Sequence, residues 1–210
     1  MKNISVLLFL LITLALNAQN NKTSGLNARQ FHKYWKVESE SPDYKVTFLG
    51  DTVEILSPKG LTLWRKEKMS GKVTIEYDAC VVVEVEGDRL SDLNCFWMAS
   101  DPQYPDNIWK REKWRSGIFL NCYSLQLYYM GYGGNHNSTT RFRRYDGNEA
   151  AITNAKARPA ILKEYTDADH LLEANKWYHI KITNENNRVS YYIDGKRLVD
   201  FRDAEPLTEG

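Results

Sequence analysis

The chain has 210 residues, 42% of them hydrophobic and 26% charged, and its 28 lysines and arginines nearly balance 27 aspartates and glutamates. This length fits one domain with a full core. A net charge of +1 excludes a global attraction to nucleic acid or to any other anionic partner, so such an attraction must come from a local cluster of basic residues.

The N-terminus has the pattern of a secretory signal peptide. Lys2 precedes an apolar run at residues 4–16, and the small residue Ala18 follows. The run is shorter than the roughly 20 residues that a membrane-spanning helix needs. We therefore expect cleavage of residues 1–18, no membrane span, and a secreted or periplasmic mature chain.

Residues 19–210 have the pattern of a single all-β domain. Short segments alternate β-branched or aromatic residues with polar ones, and turn-forming residues separate them. The predicted strands lie within residues 45–56, 60–67, 72–87, 93–100, 125–132, 139–145 and 177–201. This pattern predicts a β-jelly roll, or concanavalin-like sandwich, of two antiparallel sheets. A helix is expected only near 168–174, and long loops near 101–118 and 147–166.

The number of cysteines is odd. Cys80 and Cys95 lie in strand-like apolar runs, where buried thiols are the commoner outcome, and Cys122 is the third. One disulfide would fit an oxidising compartment. The sequence favours buried thiols and leaves the disulfide open.

The segment "LQLYYMGYGGNHNSTTRFRRY", residues 125–145, gathers tyrosines and arginines around a glycine- and asparagine-rich turn. Side chains of a strand alternate between its two faces. If the leucines and Phe142 face the core, the other face should carry Tyr128, Tyr132, Arg141, Arg143 and Tyr145, beside a turn with Asn135, His136 and Asn137. The glycines 131, 133 and 134 would let a ligand approach the backbone.

This residue set fits the β-elimination chemistry of a polysaccharide lyase. Arg141 and Arg143 would bind a uronate carboxylate through their guanidinium forks. His136 or Tyr132 would abstract the proton on the adjacent ring carbon, and Tyr128 or Tyr132 would protonate the departing oxygen. The same tyrosines would equally suit the half-wet face of a sandwich.

Further aromatic and amide side chains complete the expected substrate contacts, namely Asn94, Trp97, Trp109, Trp114, Asn135, Asn137 and Tyr145. The basic run "KREKWR", residues 110–115, interleaves with two of these tryptophans and would also suit nucleic acid. Export makes an acidic polysaccharide the better partner, so we expect no nucleic acid binding.

Two stretches resemble known families. "NKWYHIKITNENNRVSYYIDGKRLVDF" resembles the late hairpin of laminin-G-like and concanavalin-like sandwiches. "SDLNCFWMASDP" with "YYMGYGGNHNSTTRFRRYDG" resembles an exported bacterial jelly-roll family of polysaccharide-utilisation proteins, long of unknown function, and more loosely ulvan-type lyases. The resemblance spans Tyr44 to Glu209. Family members continue with a closing strand, so a chain ending at Gly210 is expected to be a fragment or to lack that strand.

The leading hypothesis is a secreted lyase that cleaves a uronate-containing, ulvan-like polysaccharide. One alternative is a non-catalytic carbohydrate-binding module, which would not need His136. Another is a glycoside hydrolase using Glu84, Glu86 and Asp88 on one strand face, although a charged outer face explains these better. A structural or adhesion role comes third.

No metal site and no required cofactor are predicted. "DADH", residues 167–170, offers oxygen atoms without the spacing of a calcium loop, and a structural calcium ion is left open. We expect a monomer.

Overall fold

A computed structural model describes residues 6–11 and 28–210. The longest α-helix of the described residues, α1, spans Ala28–Tyr34, and the rest of the described architecture is strands joined by turns and short helical segments. The strands are β1 Val6–Leu11, β2 Trp35–Ser39, β3 Lys45–Leu49, β4 Thr52–Ser57, β5 Leu61–Arg65, β6 Val73–Val82, β7 Leu93–Ser100, β8 Gln126–Gly133, β9 Thr139–Asp146, β10 Lys163–Tyr165, β11 Trp177–Glu185, β12 Arg188–Ile193 and β13 Lys196–Arg202.

The strands form two antiparallel layers and a small additional two-stranded sheet. The larger sheet has the order β13-β12-β11-β6-β1-β4-β3, the four-stranded sheet has the order β10-β9-β8-β7, and β2 pairs with β5. All of these pairings are antiparallel. The predicted jelly-roll sandwich is confirmed.

The predicted signal peptide falls mostly outside the described residues. Within residues 1–18 the structure describes only Val6–Leu11, a strand that pairs with β4 on one side and β6 on the other. The cleavage position near Ala18 lies outside the described residues. Cleavage and export therefore stay predictions.

The predicted strands are confirmed, because β3 to β9 and β11 to β13 lie within the predicted segments or extend one residue beyond them. The sequence pattern missed α1, β2 and β10. Its predicted helix near 168–174 is only a 3-10 turn at Ala168–His170. The two predicted long loops instead contain short helical turns, at Ile108–Arg111, Glu112–Arg115, Ala150–Thr153 and Ala155–Ala157, and a further turn at Phe119–Ser124 follows the first loop.

Two core clusters lie on opposite faces of the four-stranded sheet. Trp97, Tyr128, Met130 and Phe142 pack between the sheets against β6, β11 and β12. On the other face, Leu125, Leu127, Tyr129 and Tyr145 pack against the helical segments and against Trp64. We call the first the inter-sheet face and the second the outer face.

All three cysteines are free thiols, as the sequence favoured. Burial raises the pKa of Cys95 to about 11 and that of Cys122 to about 12, because a thiolate is disfavoured where water is excluded. Among residues 6–11 and 28–210, no helix has the length and apolar character needed to cross a membrane.

Candidate functional site

The register of β8 and β9 decides which hairpin side chains meet. Tyr129 lies opposite Arg143 and Gly131 lies opposite Arg141, whereas Tyr128 lies opposite Arg144. Paired residues point to the same face of a sheet, and their neighbours in sequence point to the other face. Tyr129, Arg141 and Arg143 therefore share the outer face.

The prediction that Tyr128 and Tyr132 share a face with Arg141 and Arg143 is wrong. Both tyrosines belong to the inter-sheet core, together with Phe142. The prediction assumed that the leucines and Phe142 face one core, but the four-stranded sheet is covered on both faces. Leu127 and Phe142 are buried on opposite sides of it.

The hydroxyls of the two inter-sheet tyrosines are used internally. Tyr128 donates to a carboxylate oxygen of Asp203 at 2.7 Å and accepts from the backbone N–H of Leu207 at 3.1 Å. Tyr132 donates to the carbonyl of Leu171 at 3.0 Å. Burial raises the pKa of both phenols. Both side chains are at most 3% exposed and both hydroxyls already have internal partners, so the structure does not support the acid and base roles predicted for them.

The outer face places a different tyrosine among the arginines. The hydroxyl of Tyr129 donates to the side-chain oxygen of Asn94 at 3.1 Å. Asn94 on β7 lies opposite Gly131 on β8, and Gly131 in turn lies opposite Arg141 on β9. We call Asn94, Tyr129, Arg141 and Arg143 the outer-face site.

Gly131 is required at this point by the ring of Tyr129. A Cβ on residue 131 would lie 2.2 Å from the hydroxyl oxygen of Tyr129 and 2.8 Å from its ring carbon Cζ. The phenol therefore lies over the backbone of Gly131 and fills the space that the sequence interpretation reserved for a ligand. Glycine at 133 has a left-handed φ of +64°, and Leu172 packs where its side chain would be.

Both arginines of the outer-face site are half-buried and held by neighbours. Arg141 donates from Nε to a carboxylate oxygen of Glu164 at 2.5 Å, and Arg143 donates from Nη1 to the carbonyl of Pro159. A guanidinium carries five N–H donors. The remaining donors of both arginines have no partner among the described residues, so they can bind an anion or hydroxyl groups.

Charges around Tyr129 act on its phenol in opposite directions. Burial raises its pKa most, the carboxylate of Asp92 raises it further, and Arg143 and Arg141 lower it. The net effect is a pKa above the ordinary value. The hydroxyl is therefore a neutral hydrogen-bond donor near pH 7, although its side chain is only 8% exposed.

The turn between β8 and β9 is left-handed. Asn135, His136 and Asn137 have φ of 52°, 58° and 55°, values that asparagine tolerates better than most residues. Asn137 exchanges two 2.8 Å hydrogen bonds with the backbone of Leu172, and Asn135 donates to Ser138 at 3.1 Å. His136 is exposed. Asn137 thus has a structural role, while Asn135 and His136 lie at the surface.

The remaining predicted contacts are divided between core and surface. Trp97 is buried, with its ring stacked on Phe142 and tilted against Tyr128, and Tyr145 is fully buried against Tyr123 at a ring distance of 4.9 Å. Neither can touch a ligand in solvent, so these two predicted contacts are wrong. Trp109 is half-buried beneath the ammonium of Lys36, and Trp114 is exposed.

The predicted carboxylate set of a glycoside hydrolase does not lie on a strand. β6 ends at Val82, before Glu84 and Glu86. Asp88 instead closes a turn by accepting the backbone N–H groups of Glu84 at 2.8 Å and Val85 at 3.0 Å. These two bonds hold the pKa of Asp88 below its usual value.

The Asp167 carboxylate of the "DADH" stretch binds the His170 ring at 2.6 Å. Among the described residues, no group of three or more His, Cys, Asp or Glu side chains has the arrangement of a metal site.

Two clefts lie away from the outer-face site. One of about 260 Å³ separates the sheets at their edge strands β10 and β13 and is lined by Phe142, Leu162 and Phe201, among others. A smaller one of about 150 Å³ is lined by Tyr132, His170 and Lys196, among others. The chemistry of the side chains that meet at the outer-face site makes it the candidate.

Comparisons with known proteins agree with the fold. The family described as "Domain of unknown function (DUF6250)" matches residues 55–210. A galectin-like protein of unknown function from Bacillus subtilis is 14% identical, with 85% of this chain and 80% of that chain covered and a TM-score of 0.62. The carbohydrate-binding module CBM66 from Bacillus subtilis is 16% identical, with 84% and 83% covered and a TM-score of 0.50. No curated protein matches the sequence.

Sequence reasoning found three of the four residues of the outer-face site and missed Tyr129. The available signal was strand pairing, because any register that places Gly131 opposite Arg141 also places Tyr129 opposite Arg143. The sequence did not reveal on which face of the sheet the leucines and Phe142 would each be buried.

Proposed function

The chain belongs to the family described as "Domain of unknown function (DUF6250)", and from this premise we propose that it is a non-catalytic module that binds an acidic carbohydrate at the outer-face site. One observation carries the proposal. Two half-buried arginines, a neutral phenol and an amide converge on one surface of a sheet. The solved carbohydrate-binding module of similar fold supports it.

The chemistry of the site suits an acidic sugar. Guanidinium groups bind carboxylates and sulfates through directed N–H bonds. The side-chain N–H groups of Asn94, whose amide oxygen accepts from the hydroxyl of Tyr129, can bind sugar hydroxyls. Binding requires no proton transfer, so the proposal needs neither His136 nor the buried hydroxyls of Tyr128 and Tyr132.

β-Elimination stays a prediction. The lyase hypothesis required Tyr128 or Tyr132 beside Arg141 and Arg143, and these tyrosines lie on the other face. A lyase at the outer-face site would have to use Tyr129, whose pKa is raised rather than lowered. Binding without cleavage is the simpler use of this surface.

Affinity electrophoresis tests the proposal. Gels would contain ulvan, rhamnogalacturonan, alginate or glucuronan, and we expect retarded migration of the protein on at least one polymer. Arg143→Ala should abolish the retardation. A hydrogen bond from a charged, half-buried side chain to the ligand contributes about 1.5–3 kcal/mol, or roughly tenfold to a hundredfold in affinity. Arg188→Ala is the matched control, because it removes the same charge from β12, where Arg188 pairs with Asp200.

Absorbance near 235 nm with the same polymers separates binding from elimination. The proposal predicts a flat trace with every polymer that retards the protein. A rising trace that Arg143→Ala abolishes would replace the binding module by a lyase. Unretarded migration on all four polymers would refute the proposed function.

We also propose that the protein acts outside the cytoplasm. The signal-like pattern of residues 1–18 supports this. N-terminal sequencing of the protein from an expressing bacterium would test it, with a mature end near residue 19 expected and an intact Met1 as the contrary result.

A further inference from the structure

A second group of exposed aromatic side chains lies on the segment between β7 and β8. The guanidinium carbon of Arg111 is 5.0 Å from the ring centre of Trp114 and 5.7 Å from that of Tyr104. Trp114 is 43% exposed and Tyr104 is 38% exposed. We call these three residues the Trp114 platform.

Buried ion pairs hold the platform in place. Arg111 donates from Nε and Nη2 to the two carboxylate oxygens of Asp101, both at 2.8 Å, and from Nη1 to Glu149. Arg115, which follows Trp114, is fully buried and donates to both carboxylate oxygens of Glu38, at 2.6 and 3.2 Å. Removing charged groups from water costs free energy, and buried ion pairs of this kind can fix the local geometry in exchange.

The glycines beneath the segment also fix its position. A Cβ on Gly117 would lie 2.6 Å from the carbonyl oxygen of Glu38 and 2.8 Å from that of Gly60, and Gly117 has a φ of +72°. The segment therefore packs backbone to backbone against the β2–β5 region. Exposed aromatic rings on so firmly anchored a segment are prearranged for contact.

The platform lies on the same side of the four-stranded sheet as the outer-face site. Phe119, five residues after Trp114, packs on Tyr129 with ring centres 5.6 Å apart. Ile118 and Leu120, the residues on either side of Phe119 in the sequence, are exposed. The segment thus connects the platform to the aromatic side of the outer-face site.

The chemistry of the platform suits a sugar chain. The faces of sugar rings present C–H groups, which are attracted to the electron-rich face of an aromatic ring. Lys110 and Lys113 are exposed beside the platform and would attract an acidic polymer. The occupant that matches both features is the same polymer that the outer-face site would bind.

We propose that Trp114 contacts a second stretch of the acidic polysaccharide chain bound at the outer-face site, so that the domain prefers long chains to short oligomers. This inference rests on the proposed function. It adds a consequence that the outer-face site alone does not have, namely an affinity that rises with chain length.

The test measures affinity for oligoglucuronates of two and ten sugar units by isothermal titration calorimetry. The wild-type protein should bind the longer oligomer more tightly. Trp114→Ala should weaken binding of the ten-unit oligomer by about tenfold, because one aromatic contact is lost, and should leave binding of the two-unit oligomer unchanged. Trp177→Ala is the matched control, since Trp177 is 44% exposed on the outer side of the other sheet.

The outcomes separate the two proposals. Equal binding of the ten-unit oligomer by the wild-type protein and by Trp114→Ala would overturn the inference and leave the proposed function standing. Equal weakening by Trp114→Ala and Trp177→Ala would also overturn it. No binding of either oligomer by the wild-type protein would count against both proposals. Melting temperatures of the variants confirm that each is folded.

Discussion

Tyr128 and Tyr129 are neighbours in the sequence, yet their hydroxyls lie on opposite faces of the four-stranded sheet and meet different partners. Tyr128 donates to Asp203, which also accepts from Nε of Arg144 at 2.7 Å. Tyr129 donates to Asn94, beside arginines that keep unused donors. The comparison teaches that a polar aromatic strand can serve two roles at once, with cohesion on the inter-sheet face and, under the proposed function, recognition on the outer face.

The largest expected effect is on the inter-sheet face. Trp97→Ala should lower the free energy of unfolding by about 3–5 kcal/mol, because it leaves a cavity among Tyr128, Phe142 and Tyr191. Urea denaturation measures it. Trp114→Ala, on the exposed platform, should change the same quantity by less than about 1 kcal/mol. Equal losses of unfolding free energy in the two variants would contradict the assignment of Trp97 to the core and of Trp114 to an exposed surface.

The two adjacent tyrosines give a sharper comparison. Tyr128→Phe should cost about 1–3 kcal/mol of stability, because the buried carboxylate of Asp203 loses a donor, and should leave carbohydrate affinity unchanged. Tyr129→Phe should cost less stability and should weaken binding several-fold. Denaturation and affinity electrophoresis on the same two proteins measure both quantities. Weakened binding by Tyr128→Phe with unchanged binding by Tyr129→Phe would contradict the assignment of the binding surface to the outer face.

Alkaline pH should weaken the fold through the buried tyrosines of both faces. Burial raises the pKa of Tyr145 well above the unfolded value of about 10. A raised folded pKa means that this contribution is fully present below pH 10 and is lost as the pH rises toward the folded value. Tyr145→Phe should therefore reduce the loss of stability between pH 9 and pH 11 by about 1 kcal/mol. Denaturation at both pH values measures it, and identical pH profiles would contradict it.

The smallest expected effect is at the hairpin turn. His136 is exposed and lies outside the outer-face site. His136→Asn, which keeps a residue type that tolerates the left-handed φ of 58° at this position, should change neither stability nor affinity beyond about 0.5 kcal/mol. A loss of polymer turnover in this variant, followed at 235 nm, would instead support the lyase hypothesis.

Alternation along the strands was sufficient to predict the sandwich, because period-2 patterns depend only on local sequence. It was insufficient to assign faces, because Leu127 and Phe142 are both buried although they point in opposite directions. The cover over the outer face comes from the segment anchored by Arg115 and Glu38, which lie 77 residues apart in sequence. A contact between residues so far apart cannot be predicted from the alternation of residues within a strand.

The same reason explains the fate of the predicted site. Arg141, Arg143 and Asn94 were found because arginine and asparagine chemistry is visible in the sequence. Tyr129 was missed, since the leucine pattern assigned it to a core, and it does pack in one at its ring while its hydroxyl reaches Asn94. Tyr145 and Trp97 were included because aromatic residues at a surface and in a core look alike in sequence.

The measurement that tests the central claim most directly is a titration of the isotope-labelled protein with a glucuronic acid tetrasaccharide, followed by amide chemical shifts. The account predicts that the largest shifts belong to Asn94, Gly131, Arg141 and Arg143. Shifts confined to the 260 Å³ cleft between β10 and β13, at Leu162 and Phe201, or no shifts at all, would contradict it.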